Sequence, residues 1–450
     1  MRTVRKGGPR IERRTFLKLA AGAGVAAAGG VGLAPARPAA GATTLAVWTG
    51  FPELVPFYKA VADAYGKTHA GVTVTVFSSS LREIEQKLST AVPTGTGPDI
   101  YDIGTNISIK FIEGGLLDPN PPDVERTLTS GAWHASVVDF FGIGGKHYGL
   151  PLMEGSHASM FYNKAMFREA GIAKPPSTFP ELTEAARRLV RFDASGKMTR
   201  SGISMRLSGQ GSGIGEKFRF VLEPAGGSLV VRTPSGKWHN GYDNDAGRAA
   251  LQFYVDAVQK DKIDDPKVPH DADAFAAGTT AMLFREAWVI GEIQQKNPKL
   301  EYGVAPIPRW KAGGPYKMLV QPWGIYVNGK SGNKRAAWEF LTFLTNRENA
   351  VRLTTMTGWV SERQDVDWKP LLKDIPQFAV FVSPPKDVVF YVEPIFSVFD
   401  EVESKLADRL VPAYVDPSLN NAPDKVAQRI REMAAETDEI LKGAGLYGMT

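Results

Sequence analysis

The chain has 450 residues, 43% of them hydrophobic and 22% charged, so it can bury large cores and is too long for one ordinary domain. Its formal net charge of +5 comes from residues 1–42, which hold eight of the 53 Lys and Arg but one of the 48 Asp and Glu, leaving −2 on the rest. A net charge of −2 gives no reason to expect nucleic-acid binding. The lack of cysteine excludes disulfides, thiol catalysis and cysteine-ligated metals.

Residues 1–42 have the pattern of a targeting segment. Seven basic residues precede an apolar run at residues 19–34, which is too short and too rich in Gly and Ala for a membrane span, and an A-x-A cleavage pattern ends at Ala42. The stretch ERRTFLK resembles the twin-arginine export signal, although Glu12 stands where that signal has Ser or Thr; an ordinary secretory leader is the alternative. We expect cleavage after Ala42 and a soluble, exported protein, periplasmic or extracellular, without a lipid anchor.

A strand, a helix and a second strand follow the leader. The runs TTLAVW (residues 43–48) and VTVTVFS (residues 72–78) are strand-like. Between them, apolar side chains recur at helical spacing and predict one buried face, made of Leu54, Phe57, Tyr58, Val61, Ala62 and Tyr65. A further helix, REIEQKLSTAV, and a strand, DIYDIG (residues 99–104), continue the alternation. This order favours an α/β fold with an open, mostly parallel sheet.

A glycine-rich run, GIGGKHYGLP at residues 142–151, raises the alternative of a phosphate-binding loop. Such a loop needs G-x-x-x-x-G-K-[ST]. Phe140 occupies the position five before Gly145, and His147 stands where Ser or Thr is required. The run therefore predicts a tight turn between short extended segments. A second run, SGQGSGIG at residues 208–215, contains no lysine and is interpreted as a mobile loop.

A second α/β block follows. SMFYN (residues 159–163) predicts a strand, and STFPELTEAARRLVRF predicts a helix with a capping box from Thr178 to Glu181. Apolar periodicity predicts one helix over residues 333–353 and another over residues 424–442. Two such blocks favour a ligand cleft between lobes, because open α/β sheets bind ligands outside the carboxyl ends of their strands.

Six motifs in a fixed order give the chain after the leader a family resemblance. GTGPDIYDIG resembles a G-x-x-PD stretch, FIEGGLLDP a helix ending in G-x-L-x-P, and GGKHYGLP with FYNKAMFREAGIAKPPSTFPEL the series G-K-x-Y-G-[LI]-P, Y-Y-N-K, A-G-[LI] and P-P-x-T-[WF]-x-E-L. AFAAGTTAMLFREAW, and AAWEFLTFLTNRENA with TGWVSER, match the later motifs. The chain thus resembles, almost end to end, the carbohydrate-type extracellular solute-binding proteins (family 1), the receptors of ABC importers. It departs from them at Trp323, where paired glycine is common, and at Ser361, where proline is usual.

The resemblance implies a two-lobed periplasmic-binding-protein fold of type II, each lobe an open, mostly parallel sheet flanked by helices. One lobe would hold residues 43–150 and 325–388, and the other residues 151–322 and 389–450. Three crossings between the lobes are expected, near Pro151, Gln321 and Glu393. The lobes would close on a ligand about these hinges.

Sugars present apolar C–H faces and hydroxyl groups, so a site for them needs flat aromatic side chains and short polar groups. Trp288 is the first candidate, because it falls at the family's tryptophan position. Trp48 ends the first strand, Trp323 lies beside the second crossing, and Trp359 lies in the TGWVSER turn. A core position is the alternative for each of the four. Trp338 lies on an amphipathic helix, which predicts a core position.

Glu154, just past the first crossing, and Asp102, in the third strand, are the polar candidates, because a carboxylate accepts two hydroxyl hydrogen bonds. A solvated or capping acid is the alternative for both. Ser80 and Arg285 are further candidates, and Arg285 would also suit an acidic or phosphorylated solute, although a single arginine is more often a surface ion pair. The six histidines form no tight ligand pair, so neither a metal site nor a cofactor is expected.

The resemblance implies a non-catalytic, monomeric receptor that binds a mono- or oligosaccharide, or a polyol, and docks on membrane-embedded permease subunits, with no nucleic-acid partner. Two alternatives remain open at this point. An exported carbohydrate-active enzyme would need paired carboxylates about 5 to 9.5 Å apart, and a binding protein for an anionic solute, such as a glycerol phosphate, would depend on Arg285.

Overall fold

The computed structural model describes residues 43–154, 158–208 and 211–449, so the predicted leader lies outside the described residues. The strands are β1 (Thr43–Thr49), β2 (Val72–Ser78), β3 (Ile100–Gly104), β4 (Gly142–Ile143), β5 (Lys146–His147), β6 (Leu150–Glu154), β7 (Ser159–Asn163), β8 (Arg191–Phe192), β9 (Met198–Arg200), β10 (Val230–Arg232), β11 (Trp238–Asn240), β12 (Met282–Arg285), β13 (Tyr302–Ala305), β14 (Tyr316–Val320), β15 (Pro322–Val327) and β16 (Val388–Val392).

The α-helices are α1 (Val55–Gly66), α2 (Leu81–Thr94), α3 (Thr105–Glu113), α4 (Pro122–Leu128), α5 (Ala135–Phe140), α6 (Lys164–Glu169), α7 (Phe179–Leu189), α8 (Gly213–Ala225), α9 (Asp245–Gln259), α10 (Asp271–Ala276), α11 (Trp288–Lys296), α12 (Lys334–Leu344), α13 (Arg347–Thr357), α14 (Lys369–Asp374), α15 (Ala379–Val382), α16 (Phe399–Val415) and α17 (Pro423–Gly443). None of the described helices is long and apolar enough to cross a membrane.

The first sheet has five strands in the order β2-β1-β3-β15-β6. β1 runs parallel to β2 and β3, as the strand and helix alternation predicts, whereas β15 is antiparallel to both of its neighbours. Trp323 on β15 lies opposite Gly104 and Met153, and a register shift follows it at Gly324. A strand from late in the chain therefore completes a sheet built by the first third.

The predicted buried face of α1 is confirmed. Leu54, just before the helix, and Phe57, Tyr58, Val61 and Tyr65 within it are at most 1% exposed and lie against the first sheet, whereas Ala62 is half-buried. Burying an apolar side chain of this size contributes about 1.5–3 kcal/mol. The helix is thus held by packing on the sheet, and the loops at the sheet's edge are fixed with it.

The glycine-rich run at residues 142–151 forms the tight turn that its sequence predicts. β4 and β5 pair as a short antiparallel hairpin, and both turn residues, Gly144 and Gly145, have positive φ (60° and 77°). Gly149 also has a positive φ of 75°, and a Cβ there would lie 2.7 Å from the carbonyl oxygen of Ile325. Only glycine lets β6 approach β15 this closely.

The second sheet differs from the mostly parallel sheet that was expected. Its strand order is β12-β7-β13, and both pairs are antiparallel. β12 and β13 flank β7 and are joined through α11, so they run in one direction while β7 runs in the other. The sequence identified β7 as a strand, but the direction of its partners depends on contacts across more than 100 residues.

Helix ends follow local capping chemistry. The Thr178 hydroxyl accepts a hydrogen bond from the Glu181 backbone N–H at 3.3 Å, which confirms the predicted cap of α7. The single helix expected over residues 333–353 is instead two helices, α12 and α13. The break has a local cause, because the Asn346 side chain accepts a hydrogen bond from the Asn349 backbone N–H at 2.9 Å and so begins a new helix.

The hydrophobic interior forms three clusters. The first core lies under the first sheet and contains Trp338, in agreement with its predicted core position. The second core gathers α7, α8, α9, α16 and α17, and the third joins Phe161 and Leu283 of the second sheet to residues 371–381. The predicted first lobe ends at residue 388, so this third core connects its last part to strands of the second block.

Candidate functional site

A cavity of about 390 Å³ lies between the first sheet and the helices of the second core. We call it the cleft and define it by its lining residues. They are Phe51, Glu53, Ser80, Leu81, Arg82, Glu85, Ile107, Arg206, Ser212, Gly213, Glu216, Arg285, Glu286, Trp288, Gln321, Trp323, Trp359, Glu393, Asp400 and Glu403. Five of the eight predicted site residues are among them: Ser80, Arg285, Trp288, Trp323 and Trp359.

Four aromatic side chains cluster along one wall of the cleft. Phe51 makes edge contacts with Trp323 and Trp359, with ring centroids 5.0 and 5.3 Å apart, and Trp288 lies 6.1 Å from Trp359. Trp323 and Trp359 are only 7% and 4% exposed, so they present edges, whereas Trp288 is half-buried. Trp288 therefore offers the accessible indole surface of this wall.

Each indole N–H of this wall is held by a carboxylate. Trp288 Nε1 donates to Glu286 Oε2 at 3.0 Å, and Trp359 Nε1 donates to Glu53 Oε1 at 3.3 Å. A hydrogen-bonded ring keeps a fixed orientation, and a flat ligand face can then stack on it at lower entropic cost.

Arg285, which ends β12, and Glu286, which directly follows it, carry the charge of this wall. Arg285 contacts Asp271 at 2.7 Å and Glu286 at 3.0 Å, and its guanidinium carbon lies 4.8 Å from the centre of the Trp288 ring. Burial raises the pKa of Glu286, but Arg285 and Lys217 outweigh burial, so the pKa falls well below the usual range. Glu286 is thus ionised, and Arg285 is already paired by carboxylates.

The floor of the cleft is a buried ionic network. Arg219, which is 1% exposed, contacts Glu393 at 3.3 Å and Glu403 at 3.2 Å, and Gln321 Nε2 donates to Glu393 Oε1 at 2.6 Å. Burial and the adjacent Glu403 raise the pKa of Glu393 well above its usual range, against the opposing effect of Arg219. The network joins the β14–β15 connection to the segment after β16.

Arg82, on the first turn of α2, bridges the cleft. Its Nη2 donates to Ser212 Oγ at 2.8 Å, and its Nη1 lies 3.7 Å from Asp400. Ser212 and Asp400 stand at the beginnings of α8 and α16, whereas α2 packs on the first sheet. The two sides of the cleft are therefore in direct contact at this point, beside the predicted residue Ser80.

Asp102 lies beneath the cleft and does not line it. It is fully buried and accepts hydrogen bonds from Tyr58 at 2.5 Å and from Trp323 Nε1 at 3.4 Å. Burial raises its pKa to about 6, although those hydrogen bonds oppose the shift. Asp102 orients Trp323 from below, so its place in the structure is that of a positioning residue.

Trp48 and Glu154 also lie away from the cleft. Successive residues of β1 point to opposite faces of the sheet, so Trp48 contacts Phe77, at 5.5 Å between centroids, on the side of a different groove. Glu154, at the end of β6, lines another cavity. The end of the first strand indicated Trp48 and the first crossing indicated Glu154, but strand periodicity and local twist decide which side a residue faces.

Several cleft residues were not indicated by the sequence. Ser212, Gly213 and Glu216 belong to the run interpreted as a mobile loop or directly follow it, yet Gly213 begins α8, and residues 209–210 lie outside the described part. A serine before a helical apolar pattern is a start signal that could have been used. No group of three or more metal-binding side chains occurs in the part of the chain that the structure describes.

Comparison with known proteins adds to this geometry. A family model described as bacterial extracellular solute-binding protein matches residues 49–351. A putative binding protein of Brucella abortus (strain 2308) is 24% identical over 394 residues, covering 86% of this chain and 90% of its own. A maltotriose-binding protein of Pyrococcus abyssi is 24% identical over 343 residues, covering 75% of this chain and 70% of its own.

A solved structure shows the same fold. An ABC transporter solute-binding protein of Thermotoga lettingae TMO, bound to alpha-D-tagatose, superimposes with a TM-score of 0.72 at 21% identity and covers 89% of this chain and 100% of its own. The architecture is therefore the mixed α/β, two-lobed fold of such proteins. With a family model that matches two thirds of its length, the chain belongs to the bacterial extracellular solute-binding protein family.

Proposed function

We propose that the chain is the receptor of an ABC importer and binds a mono- or oligosaccharide, or a polyol, in the cleft. The observation that carries the proposal is the aromatic wall of the cleft. We call it the indole wall and define it by Phe51, Trp288, Trp323 and Trp359. Trp288 presents accessible aromatic surface beside the carboxylates of Glu286 and Glu53. Stacking on C–H faces and acceptance of hydroxyl hydrogen bonds are the two interactions that a sugar offers.

The size of the cleft supports a small ligand. A volume of about 390 Å³ lies at the lower end of the usual range for ligand pockets, roughly 300–1,000 Å³. Relatives named as binders of maltotriose and of diacetylchitobiose, and a structural neighbour bound to tagatose, point to the same ligand class. In this proposal the binding residues are Trp288, Arg285, Ser80, Trp323 and Trp359.

Transport places further demands on the molecule. The two lobes, with the boundaries given by the resemblance, would close on the ligand about crossings near Pro151, Gln321 and Glu393, and the closed form would dock on permease subunits as a monomer. Closure needs ligand contacts on both sides of the cleft, and in this proposal Ser80 and Trp288, which both line it, would supply them. The twin-arginine-like leader would export the protein, and its cleavage after Ala42 would release it.

Two other functions are less well supported. The family contains binding proteins, which does not favour a carbohydrate-active enzyme. An anionic solute is disfavoured by the cleft itself, because its lining holds seven acidic side chains and three arginines. Arg285 in particular is already paired with Asp271 and Glu286.

A thermal-shift screen of residues 43–450 tests the proposal. The panel contains maltose, maltotriose, tagatose and diacetylchitobiose, with glycerol 3-phosphate as the anionic control. A ligand that binds only the folded state raises the unfolding temperature in proportion to the logarithm of its concentration. We expect a shift with a saccharide and none with glycerol 3-phosphate. A panel in which no sugar or polyol produces a shift would contradict the carbohydrate ligand, and new reducing ends from a glycan would favour the enzyme.

A further inference from the structure

A second cavity, of about 720 Å³, lies where the first sheet meets the two-stranded sheet of β14 and β16. The strands that converge there each place an end residue in its wall. These are Glu154 of β6, Val320 of β14, Pro322 of β15 and Val392 of β16. We call it the junction cavity.

Apolar and aromatic side chains form most of the junction cavity. Trp368, Phe381 and Phe390 line it together with valines and prolines. Phe390 is 46% exposed, and Val392 is 42% exposed. Exposed large apolar side chains that lie together in one wall mark a surface that binds a ligand or a partner.

Within the described residues, a carboxyl group in this wall has no hydrogen-bond partner. Glu362 is 7% exposed, and neither of its carboxyl oxygens accepts or donates a hydrogen bond within the part of the chain that the structure describes. Glu154 lines the same cavity, and burial together with the Glu154 charge raises the pKa of Glu362 well above its usual range. A buried acid without a partner is costly, and a donor that reaches it would recover that cost.

The basic side chains near Glu362 are few, and the arginine among them already donates its hydrogen bonds to other groups. Arg363 lines the cavity, but its Nε and Nη2 donate to Asp365 at 2.9 and 2.8 Å, and its Nη1 donates to the Thr345 carbonyl oxygen at 2.9 Å. Its guanidinium also lies 4.6 Å from the centre of the Trp133 ring. His134 is the other basic residue in the wall. Among the described residues, the Glu362 carboxyl is therefore left for a ligand to meet.

We infer that the junction cavity is a second ligand site, separate from the cleft, that takes a small organic cation with a hydrocarbon or aromatic body. The ammonium group would donate to Glu362 and Glu154, and the body would pack on Trp368, Phe381 and Phe390. Aromatic faces also attract a cation by their quadrupole. A metal ion fits less well, because the described residues offer no third metal-binding side chain beside the two glutamates.

Benzylamine is the probe that tests this site. Isothermal titration of residues 43–450 with benzylamine, in the absence of sugar, should give saturable binding. Benzyl alcohol has nearly the same shape without the charge and should bind about tenfold more weakly or worse, since a hydrogen bond to a charged group contributes roughly 1.5–3 kcal/mol. No saturable benzylamine binding, or equal binding of the alcohol, overturns the site.

Two matched variants locate the binding. Glu362→Gln keeps the shape and cannot ionise, and it should weaken benzylamine binding by about tenfold or more. Glu53→Gln makes the same change in the cleft and should leave benzylamine binding unchanged. Loss in Glu53→Gln with retention in Glu362→Gln would place the amine in the cleft and overturn the inference. Circular dichroism checks the fold of each variant, and Glu154→Gln, which should also weaken binding, replaces Glu362→Gln if that protein does not fold.

The pH dependence of benzylamine binding distinguishes direct contact with Glu362 from a purely structural role of that residue. Because the pKa of Glu362 is raised, an ammonium that pairs with it must displace its proton. Benzylamine affinity should therefore rise with pH up to the pKa of the amine itself, and titrations in two buffers of different ionisation enthalpy should show proton release. In Glu362→Gln the proton release should disappear, and its persistence would contradict the role of Glu362. The sugar screen is independent of these measurements, so either proposal can fail alone.

Discussion

The tryptophans of the indole wall differ in how much ring surface is accessible to a ligand. Trp323 and Trp359 are almost completely buried, and their neighbours fix them from below and from the side. Trp288 is half-buried, with Arg285 against one face. Most of the stacking energy available to a ligand should therefore come from Trp288.

Replacing Trp288 with alanine tests this distribution. Trp288→Ala should weaken sugar binding by about tenfold or more, because an aromatic contact contributes roughly 0.5–1.5 kcal/mol beyond the area it buries. Trp48→Ala is the matched control, since Trp48 lies in a different groove. Titration with the sugar identified in the thermal-shift screen measures both variants. Equal losses in the two proteins would contradict the assignment of Trp288.

Asp102 should make stability depend on pH. Its pKa is raised from 3.8 to about 6 in the folded protein, mainly by burial. The folded state therefore holds the proton more tightly, and the stability that this contributes is complete below pH 3.8 and is lost as the pH rises through 6. Asp102→Asn cannot ionise. Between about pH 4 and pH 7, the wild-type free energy of unfolding should fall by about 2 kcal/mol relative to the variant.

Urea denaturation of both proteins at several pH values measures this difference. A difference that stays constant over that range, or that changes in the opposite direction, would show that Asp102 is not held as a buried, protonatable group. Loss of the Tyr58 and Trp323 hydrogen bonds shifts the variant's stability at every pH and leaves the slope unaffected.

At the scale of elements, helix boundaries depend on few side chains. α12 and α13 are separated by a short turn, and the Asn346 side chain caps α13. Asn346→Ala should lower the free energy of unfolding by about 1 kcal/mol, because it leaves a backbone N–H at the helix start without its partner. Thr355→Ala, on the exposed side of α13, should have a smaller effect. Chemical denaturation compares the two, and a larger loss in Thr355→Ala would contradict the cap.

The sequence predicts elements better than it predicts their partners. β1, α1, β2 and β3 are clear from local periodicity, and the turn at Gly144 and Gly145 is clear from glycine alone. The place of β15 between β3 and β6, and the antiparallel second sheet, are set by contacts between distant segments that a local pattern does not record.

The prediction of cleft residues from the sequence is limited in the same way. Trp288 and Trp359 are recognisable from the aromatic requirement of a sugar site and from the family motifs, and Trp323 from its place beside the second crossing. The strand end indicated Trp48, and the capacity of a carboxylate to accept hydroxyl hydrogen bonds indicated Asp102, but the face of a strand and the depth below the cleft removed them from the wall. Arg82 reaches across the cleft to Ser212, which directly precedes α8 and lies 130 residues away.

For the whole molecule, Arg82 is the contact to test first. Its bonds to Ser212 and Asp400 join the two sides of the cleft directly. Arg82→Ala should favour a more open form, raise the radius of gyration measured by small-angle X-ray scattering, and weaken sugar binding by about threefold, since exposed ion pairs contribute up to roughly 1 kcal/mol. Arg335→Ala, 93% exposed on α12, is the control. An unchanged radius of gyration would contradict the bridge.

The position of β15 has a consequence for biogenesis. Residues 322–327 form the strand between β3 and β6, so the ribosome must synthesise most of the chain before the first sheet can be completed. Such non-local pairing is slow, and until then the nascent chain exposes the edges of β3 and β6, which favour aggregation. If the proposed export follows the twin-arginine route, which carries folded cargo, this late folding would be completed in the cytoplasm beforehand.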